Sequence, residues 1–280
     1  MIGVFDSGHG GLSILGELTA AMPRQTFVYL GDHAHAPYGD RSGPEIYELT
    51  RLSVERLFVL GCRLVILACN TASAIALRKL QKEWLPSRWP QHRVLGVVVP
   101  TIEAITGVPW PARNAPSPAN ETARTVGIFA TAATVRSRVY PIEIAKRAPH
   151  IRVVQQACGE LVRQIESGAS REQMAATIAV SARDLKSKLG EAVPDAIVLG
   201  CTHFPLVQDL FEAELGNHHK LVSQPRQVAL ALVDYLVRHP HFADAPHGAE
   251  APTFLTTGRA LDVSQRAQLL FSAPLEFASV

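Results

Sequence analysis

Short apolar, β-rich runs alternate with amphipathic stretches along most of this chain, and that alternation constrains its fold more than any other feature. Ile2 to Phe5, Thr26 to Leu30, Leu64 to Ala68 and Val94 to Val99 read as strands. Gly11 to Met22, Pro44 to Gly61 and Ala72 to Trp84 read as helices between them. In the second half, strands are expected at Val126 to Phe129, Arg152 to Gln155 and Ala196 to Leu199. Helices are expected at Val135 to Arg147, Gly159 to Ser167, Arg171 to Leu189 and Pro205 to Glu214. Near-continuous apolar strands joined by helices cannot be a half-solvated antiparallel sheet; they imply an α/β fold with mainly parallel sheets and helices on both faces. Residues 107–125 are rich in Pro, Ala and Asn and lack a period, so they read as a connector. Pro111, Pro116 and Pro118 would break a helix or a central strand.

Two stretches of the first half recur in order in the second. Ile2-Gly3-Val4-Phe5-Asp6-Ser7 resembles Val126-Gly127-Ile128-Phe129-Ala130-Thr131, an offset of 126 − 2 = 124. Val65-Ile66-Leu67-Ala68-Cys69-Asn70-Thr71 resembles Ile197-Val198-Leu199-Gly200-Cys201-Thr202-His203, where 201 − 69 = 132. The similar offsets suggest two related α/β domains, which a chain of 280 residues is long enough to build, each with a cysteine just past a buried strand.

In open parallel sheets, ligands bind beyond the carboxyl ends of the strands. Asp6-Ser7, Asp32, Cys69-Asn70-Thr71, Thr131 and Cys201-Thr202-His203 all follow a strand, so two facing sheet edges would form a cleft with one thiol on each wall. Two thiols in one cleft suit a symmetric reaction, in which one thiolate removes a proton from a carbon centre while the other, as a thiol, returns one to the opposite face, inverting the configuration. Asp6 and His203 are the groups able to tune these thiols. A carboxylate raises a thiol pKa and an imidazolium lowers it. The four cysteines form no CxxC pair and are too few for a disulfide scaffold, so Cys62 and Cys158 are read as buried small hydrophobes.

The same residues carry a family resemblance. Gly3-Val4-Phe5-Asp6-Ser7-Gly8-His9-Gly10-Gly11-Leu12-Ser13, Gly31-Asp32 through Pro37-Tyr38-Gly39, Ala68-Cys69-Asn70-Thr71-Ala72-Ser73-Ala74 and Leu199-Gly200-Cys201-Thr202-His203-Phe204-Pro205-Leu206 resemble the signature blocks of the glutamate racemases, within the cofactor-independent Asp/Glu racemase family. Phe254-Leu255-Thr256-Thr257-Gly258 fits as well. The resemblance implies interconversion of L- and D-glutamate without a cofactor, supplying D-glutamate for peptidoglycan. It implies Cys69 and Cys201 as catalytic acid/bases, assisted by Asp6 and His203. Ser7, Pro37, Tyr38, Gly39, Asn70, Thr71, Thr134 and Thr202 would hold substrate. It further implies two α/β domains with the site between them: a discontinuous first domain, residues 1–97 and 207–280, and an inserted second, residues 98–206.

Several positions depart from the family pattern: His9 in the glycine-rich turn, His33 and His35, Ala130, Ser223-Gln224-Pro225 without the usual acidic residue, and the long connector. None touches the two cysteines, so they bear on regulation and fine substrate preference. The turn Gly8 to Gly11 lacks the spacing of a dinucleotide loop, and Cys201-x-His203 alone is no zinc pattern. No lysine lies at a strand end to form a Schiff base; Lys79 falls within a predicted helix. A formal net charge of +2 without a dense Lys/Arg run argues against nucleic acid or an anionic membrane as partner. The lack of a long apolar run or leader pattern leads to the expectation of a cytoplasmic protein. A homodimer is compatible with the sequence but not implied by it. Two other functions remain in view: racemisation or isomerisation of aspartate or another acidic amino acid, and acidic-metabolite binding without catalysis.

Overall fold

The computed structural model describes residues 1–108, 123–216, 219–244 and 251–280. Its two sheets are built from parallel pairs throughout. The first holds six strands: β1 (Ile2–Asp6), β2 (Phe27–Gly31), β3 (Leu64–Leu67), β4 (Arg93–Gly96), β9 (Thr253–Thr256) and β10 (Phe277–Ser279), in the order β10-β9-β2-β1-β3-β4. The second holds β5 (Arg124–Ala130), β6 (Ile151–Ala157), β7 (Ala196–Gly200) and β8 (Lys220–Val222), in the order β6-β5-β7-β8. The order β2-β1-β3-β4 is thus repeated by β6-β5-β7-β8. The register repeats too: Ile2 pairs with Leu64, and Val126 with Ala196, so the offsets of 124 and 132 carry one pairing onto the other. The α/β class and the internal repeat read from sequence are both present.

Helices cover both faces of each sheet, as parallel strands buried on both sides require. On the first sheet, α2 (Gly43–Val59) lies over one face. It is followed after β3 by α3 (Asn70–Ile75), α4 (Leu77–Lys79), a π-helical turn at Leu80–Trp84 and α5 (Leu85–Arg88). Their Val54, Leu57, Phe58, Ala72 and Trp84 pack on Phe5, Leu30 and Leu67. Helix α1 (Leu12–Ala21) covers the opposite face through Ile14, Leu15 and Leu18 against Ile2, Val4 and Tyr29. On the second sheet, α6 (Val98–Thr106), α7 (Ala132–Ser137) and α8 (Val139–Ala145) precede β6, with α6 and α8 packed on one face. Helices α9 (Leu161–Ser167), α10 (Arg171–Leu189) and α11 (Gln208–Leu215) cover the other. The chain returns to the first sheet through α12 (Gln224–Arg238), whose Val228, Ala229 and Leu232 join the α1 face, and ends with α13 (Ala260–Phe271). Sequence-local caps set the long helices: Ser42 and Glu45 form a reciprocal capping box at α2, and Ser170 and Gln173 do so at α10.

Three expectations change. The run Val94 to Val99 is not one strand: β4 stops at Gly96 and α6 starts at Val98. β-branched residues favour a strand, but Pro100 sits in the first helical turn, where its missing N–H costs nothing. A side chain at Gly96 would lie 2.8 Å from Ser73 Oγ, which donates to the Leu67 carbonyl at the end of β3. The second sheet also takes in β8 at Lys220–Val222, past residue 206 where the sequence reading ended the second domain. The connector expected over 107–125 ends in strand β5 from Arg124 onward, and its residues 109–122 lie outside the described residues. No helix among the described residues is long and apolar enough to cross a membrane.

Candidate active site

The chain leaving β1 goes to β2 on one side and the chain leaving β3 goes to β4 on the other, which opens a crevice at the carboxyl ends of β1 and β3; β5 and β7 repeat this with β6 and β8. Asp6 and Ser7 leave β1, Cys69 follows β3 by way of Ala68, Thr131 leaves β5 and Cys201 leaves β7. Contacts between the two lobes close these edges on each other. Thr202 Oγ1 donates to Asp6 Oδ2 at 3.1 Å, and Thr71 Oγ1 lies 2.9 Å from Thr131 Oγ1 and 3.3 Å from Thr134 Oγ1. Cys69 and Cys201 are each only 5% exposed.

The two thiols are served differently. Cys69 caps the short helix α3: its Sγ accepts from the Ala72 N–H at 3.5 Å and lies 3.4 Å from Ser7 Oγ. Burial pushes its thiol up to about 12. The negative charges of Asp6 and Cys201 add to the rise, while the Ser7 and Ala72 hydrogen bonds oppose it. Asp6 is buried and held by the Gly8 N–H at 2.9 Å as well as by Thr202. Burial raises its carboxyl above the usual range against the pull of nearby His203. In the second lobe Ala130 occupies the repeat position of Asp6, so only the Cys69 wall carries this carboxylate.

Cys201 Sγ instead lies 3.9 Å from His203 Nδ1, and His203 Nε2 lies 2.5 Å from Glu166 Oε1 on α9. Burial alone would discharge His203, but its hydrogen bonds to Cys201 and Glu166, together with their charges, hold the imidazole well above its ordinary range. Burial likewise opposes the Glu166 charge, yet hydrogen bonds from His203 and His9 bring its carboxyl well below the usual carboxylate value. His9 Nδ1 lies 2.6 Å from Glu166 Oε2, and the His9 main-chain N–H donates to Oε1 at 3.0 Å. A line of polar contacts thus runs from His9 through Glu166 and His203 to Cys201.

Around the thiols, the other sequence-predicted residues fall into three groups. Ser7, Thr71, Thr134 and Thr202 present their hydroxyls at the meeting of the lobes. Pro37, Tyr38 and Gly39 form the turn after β2: Tyr38 OH donates to Asp32 Oδ2 at 2.6 Å, and Asp32 Oδ1 receives Thr257 Oγ1 at 2.6 Å and faces His35 Nδ1 at 2.8 Å. Gly39 is pressed onto the second lobe, since a Cβ there would lie 2.9 Å from Thr131 Cβ. Pro37 lines a neighbouring cavity of about 430 Å³ with His9, His33, Arg163, Glu166 and Arg266. The Asn70 side chain turns to a buried cluster: its Nδ2 donates to Gln224 Oε1 at 2.6 Å, and its Oδ1 accepts from Tyr140 OH at 2.8 Å and Gln224 Nε2 at 3.0 Å. Gln224, from the stretch that lacks the family's usual acidic residue, gives this cluster a neutral centre.

Cys62 and Cys158 sit in the cores of the first and second lobes, and all four cysteines are free. Among the described residues, no group of three or more His, Cys, Asp or Glu side chains is arranged to hold a metal ion. Sequence reasoning missed Glu166, a lone glutamate inside a helix with no local pattern to single it out. His9 was singled out as a departure without contact to the cysteines; it touches neither, but it is linked to Cys201 through Glu166 and His203.

The Asp/Glu/hydantoin racemase family model matches residues 17–232. A glutamate racemase of Phenylobacterium zucineum (strain HLK1) is 46% identical over 281 residues, covering 99% of this chain and 98% of the relative. Among solved structures, a glutamate racemase isoform of Bacillus anthracis superposes with a TM-score of 0.83 at 26% identity, covering 100% of this chain and 97% of the other. A glutamate racemase of Francisella tularensis subsp. tularensis SCHU S4, solved in complex with D-glutamate, also gives a TM-score of 0.83 at 26% identity, over 100% of this chain and 96% of its own.

Proposed function

The chain belongs to the Asp/Glu/hydantoin racemase family and is an isomerase of the glutamate racemase type, and we propose that it inverts the α-carbon of glutamate with two thiols, Cys69 and Cys201, one on each wall of the interlobe cleft. The observation that carries this reading is the pair of cysteines at equivalent strand ends of a repeated fold, both nearly buried and each with its own tuning group. In one direction Cys201, as the thiolate beside the His203 imidazolium, takes the α-proton. The C–H electron pair passes to the α-carbon and its carboxylate, and the Cys69 thiol returns a proton to the opposite face. The product has inverted configuration, with Cys201 now the thiol and Cys69 the thiolate; the reverse direction exchanges the roles. A Cys69 thiol held near 12 suits the acid role in the first direction, and an imidazolium beside Cys201 suits the base role.

The hydroxyls of Ser7, Thr71, Thr134 and Thr202, the main chain at Asn70 and the turn Pro37-Tyr38-Gly39 hold the substrate in this scheme, with water excluded once the lobes meet. The D-glutamate made serves peptidoglycan synthesis, and the reducing cytoplasm keeps the four thiols free. The test is the circular dichroism of pure L- or D-glutamate with purified protein. Wild type should bring either enantiomer to the racemate, and Cys69→Ser and Cys201→Ser should each abolish inversion. In deuterated water, α-proton exchange by a single-cysteine variant should be confined to one enantiomer. Full racemisation by either variant overturns the two-thiol scheme, and inversion of aspartate in preference to glutamate overturns the substrate.

A further inference from the structure

His9 is the residue of the glycine-rich turn that the racemase chemistry leaves unused, and it is placed against the accessory groups of one thiol only. His9 is 3% exposed, and both of its ring nitrogens have partners. Nε2 faces the Val263 main-chain carbonyl on α13 at 3.1 Å. A carbonyl oxygen only accepts, so Nε2 carries a proton, and the contact of Nδ1 with Glu166 Oε2 at 2.6 Å then requires one more proton shared between that nitrogen and the carboxylate. With the His9 main-chain N–H on Oε1, residue 9 grips both carboxylate oxygens, and Oε1 is the atom that meets His203. The ring is locked in turn, 4.2 Å from the His33 ring and edge-on to Phe277 at 6.3 Å. His33 is no rival cation, because burial, reinforced by His9, lowers it to about 3. The other charged groups lining the adjoining cavity have partners of their own. Arg163 meets Asp40 at 2.6 Å, Asp262 meets Arg259 at 3.4 Å, and Arg266 donates to the Ile165 carbonyl. Cys69, with Ser7 and the Ala72 N–H, makes no contact with any of these.

We propose that His9 is a positioning residue for the Cys201 half of the reaction: by clamping Glu166 it fixes the carboxylate that orients His203, the imidazole serving Cys201. The proposal rests on the two-thiol reading and gives it an asymmetry. Both thiols act in every turnover, but the bound state that starts from Cys201 thiolate depends on His203 in direct contact, whereas the one that starts from Cys69 thiolate meets it only at one remove, through the charge of Asp6. Loosening His203 therefore changes kcat by different factors in the two directions. The two kcat/KM values must stay equal, since the enantiomers are equally stable in water. A variant that merely contained fewer folded molecules would lower both kcat values by one factor.

The experiment measures kcat and KM for L→D and D→L in wild type, His9→Leu and His9→Asn. His9→Leu should lower kcat about tenfold in the more sensitive direction and shift the ratio of the two kcat values by about threefold or more. His9→Asn, whose amide nitrogen can stand where Nδ1 stood, should restore most of both. Should His9→Leu fail to fold, His9→Ala carries the same expectation. A wild-type kcat ratio in the Leu or Ala variant overturns the proposal, as does a shift that Asn does not reduce. The Cys69→Ser and Cys201→Ser assays separate the two failures: if either variant still racemises, the two-thiol reading falls, and if neither does while the kcat ratio ignores residue 9, only the role of His9 falls.

Discussion

Replacing Glu166 by Gln keeps the shape of the side chain and removes its charge. In the native protein the carboxylate accepts three short contacts: His203 Nε2 at 2.5 Å, His9 Nδ1 at 2.6 Å and the His9 main-chain N–H at 3.0 Å. Opposite unit charges about 4 Å apart attract by about 4 kcal/mol at an effective dielectric of about 20. The Glu166 side chain keeps 20% of its surface in solvent, and His9 competes for the same charge, so the share felt by His203 is smaller. The range for a hydrogen bond to a charged group, about 1.5–3 kcal/mol, is the better guide, and it corresponds to a rate loss of roughly 10- to 150-fold. The sign of the pH effect follows from His203. Glu166 helps keep its imidazole charged well above the ordinary histidine range, so in wild type the cation beside Cys201 persists through neutral pH. In Glu166→Gln that proton leaves at lower pH, and the alkaline fall of kcat should move toward acid. Initial rates by circular dichroism in both directions, from about pH 6 to about pH 9, read both effects. A variant within about twofold of wild type across that range would refute the assignment of His203 as the cation that sustains the Cys201 thiolate.

On the other wall, Ser7→Ala removes a hydrogen bond that lowers the Cys69 thiol, so kcat should drop about three- to tenfold, mainly in the direction where Cys69 is the base. Gly39→Ala places a methyl 2.9 Å from Thr131 Cβ across the lobes; overpacking of this kind costs about 1–3 kcal/mol and should appear as a raised KM for glutamate in steady-state kinetics. Cys62→Ala and Cys158→Ala lie in the two cores and should leave kcat at the wild-type value in the same assay, with only the urea midpoint lowered. Phe211→Ala empties a fully buried position between Phe129 and Phe204 and should cost about 3–5 kcal/mol in equilibrium unfolding.

The symmetric part of this molecule was legible in the sequence, and the part that breaks the symmetry was legible only where it adjoins a strand end, as Asp6 and His203 do. A buried parallel strand and the turn after it are contiguous, so the repeats at offsets 124 and 132 were enough to put Cys69 and Cys201 on matching sheet edges, and the identical register of β1–β3 and β5–β7 follows from the same strings. The Asp6/Ala130 difference could also be read there, because both residues end a repeated strand. Nothing local marks Glu166. It lies 157 positions from His9 and 37 from His203, and its place on α9 is set by how that helix packs across the second lobe. The misread strand at Val94 to Val99 has a related origin, since the branched side chains favoured extension while Pro100, in a first turn, did not forbid the helix. Strand ends therefore place the two thiols of the proposed scheme, whereas tertiary packing brings Glu166 and His9 to the His203 side of it. An enzyme whose equilibrium is symmetric thus carries unequal walls: a carboxylate and a hydroxyl around Cys69, and a charged imidazole relay around Cys201.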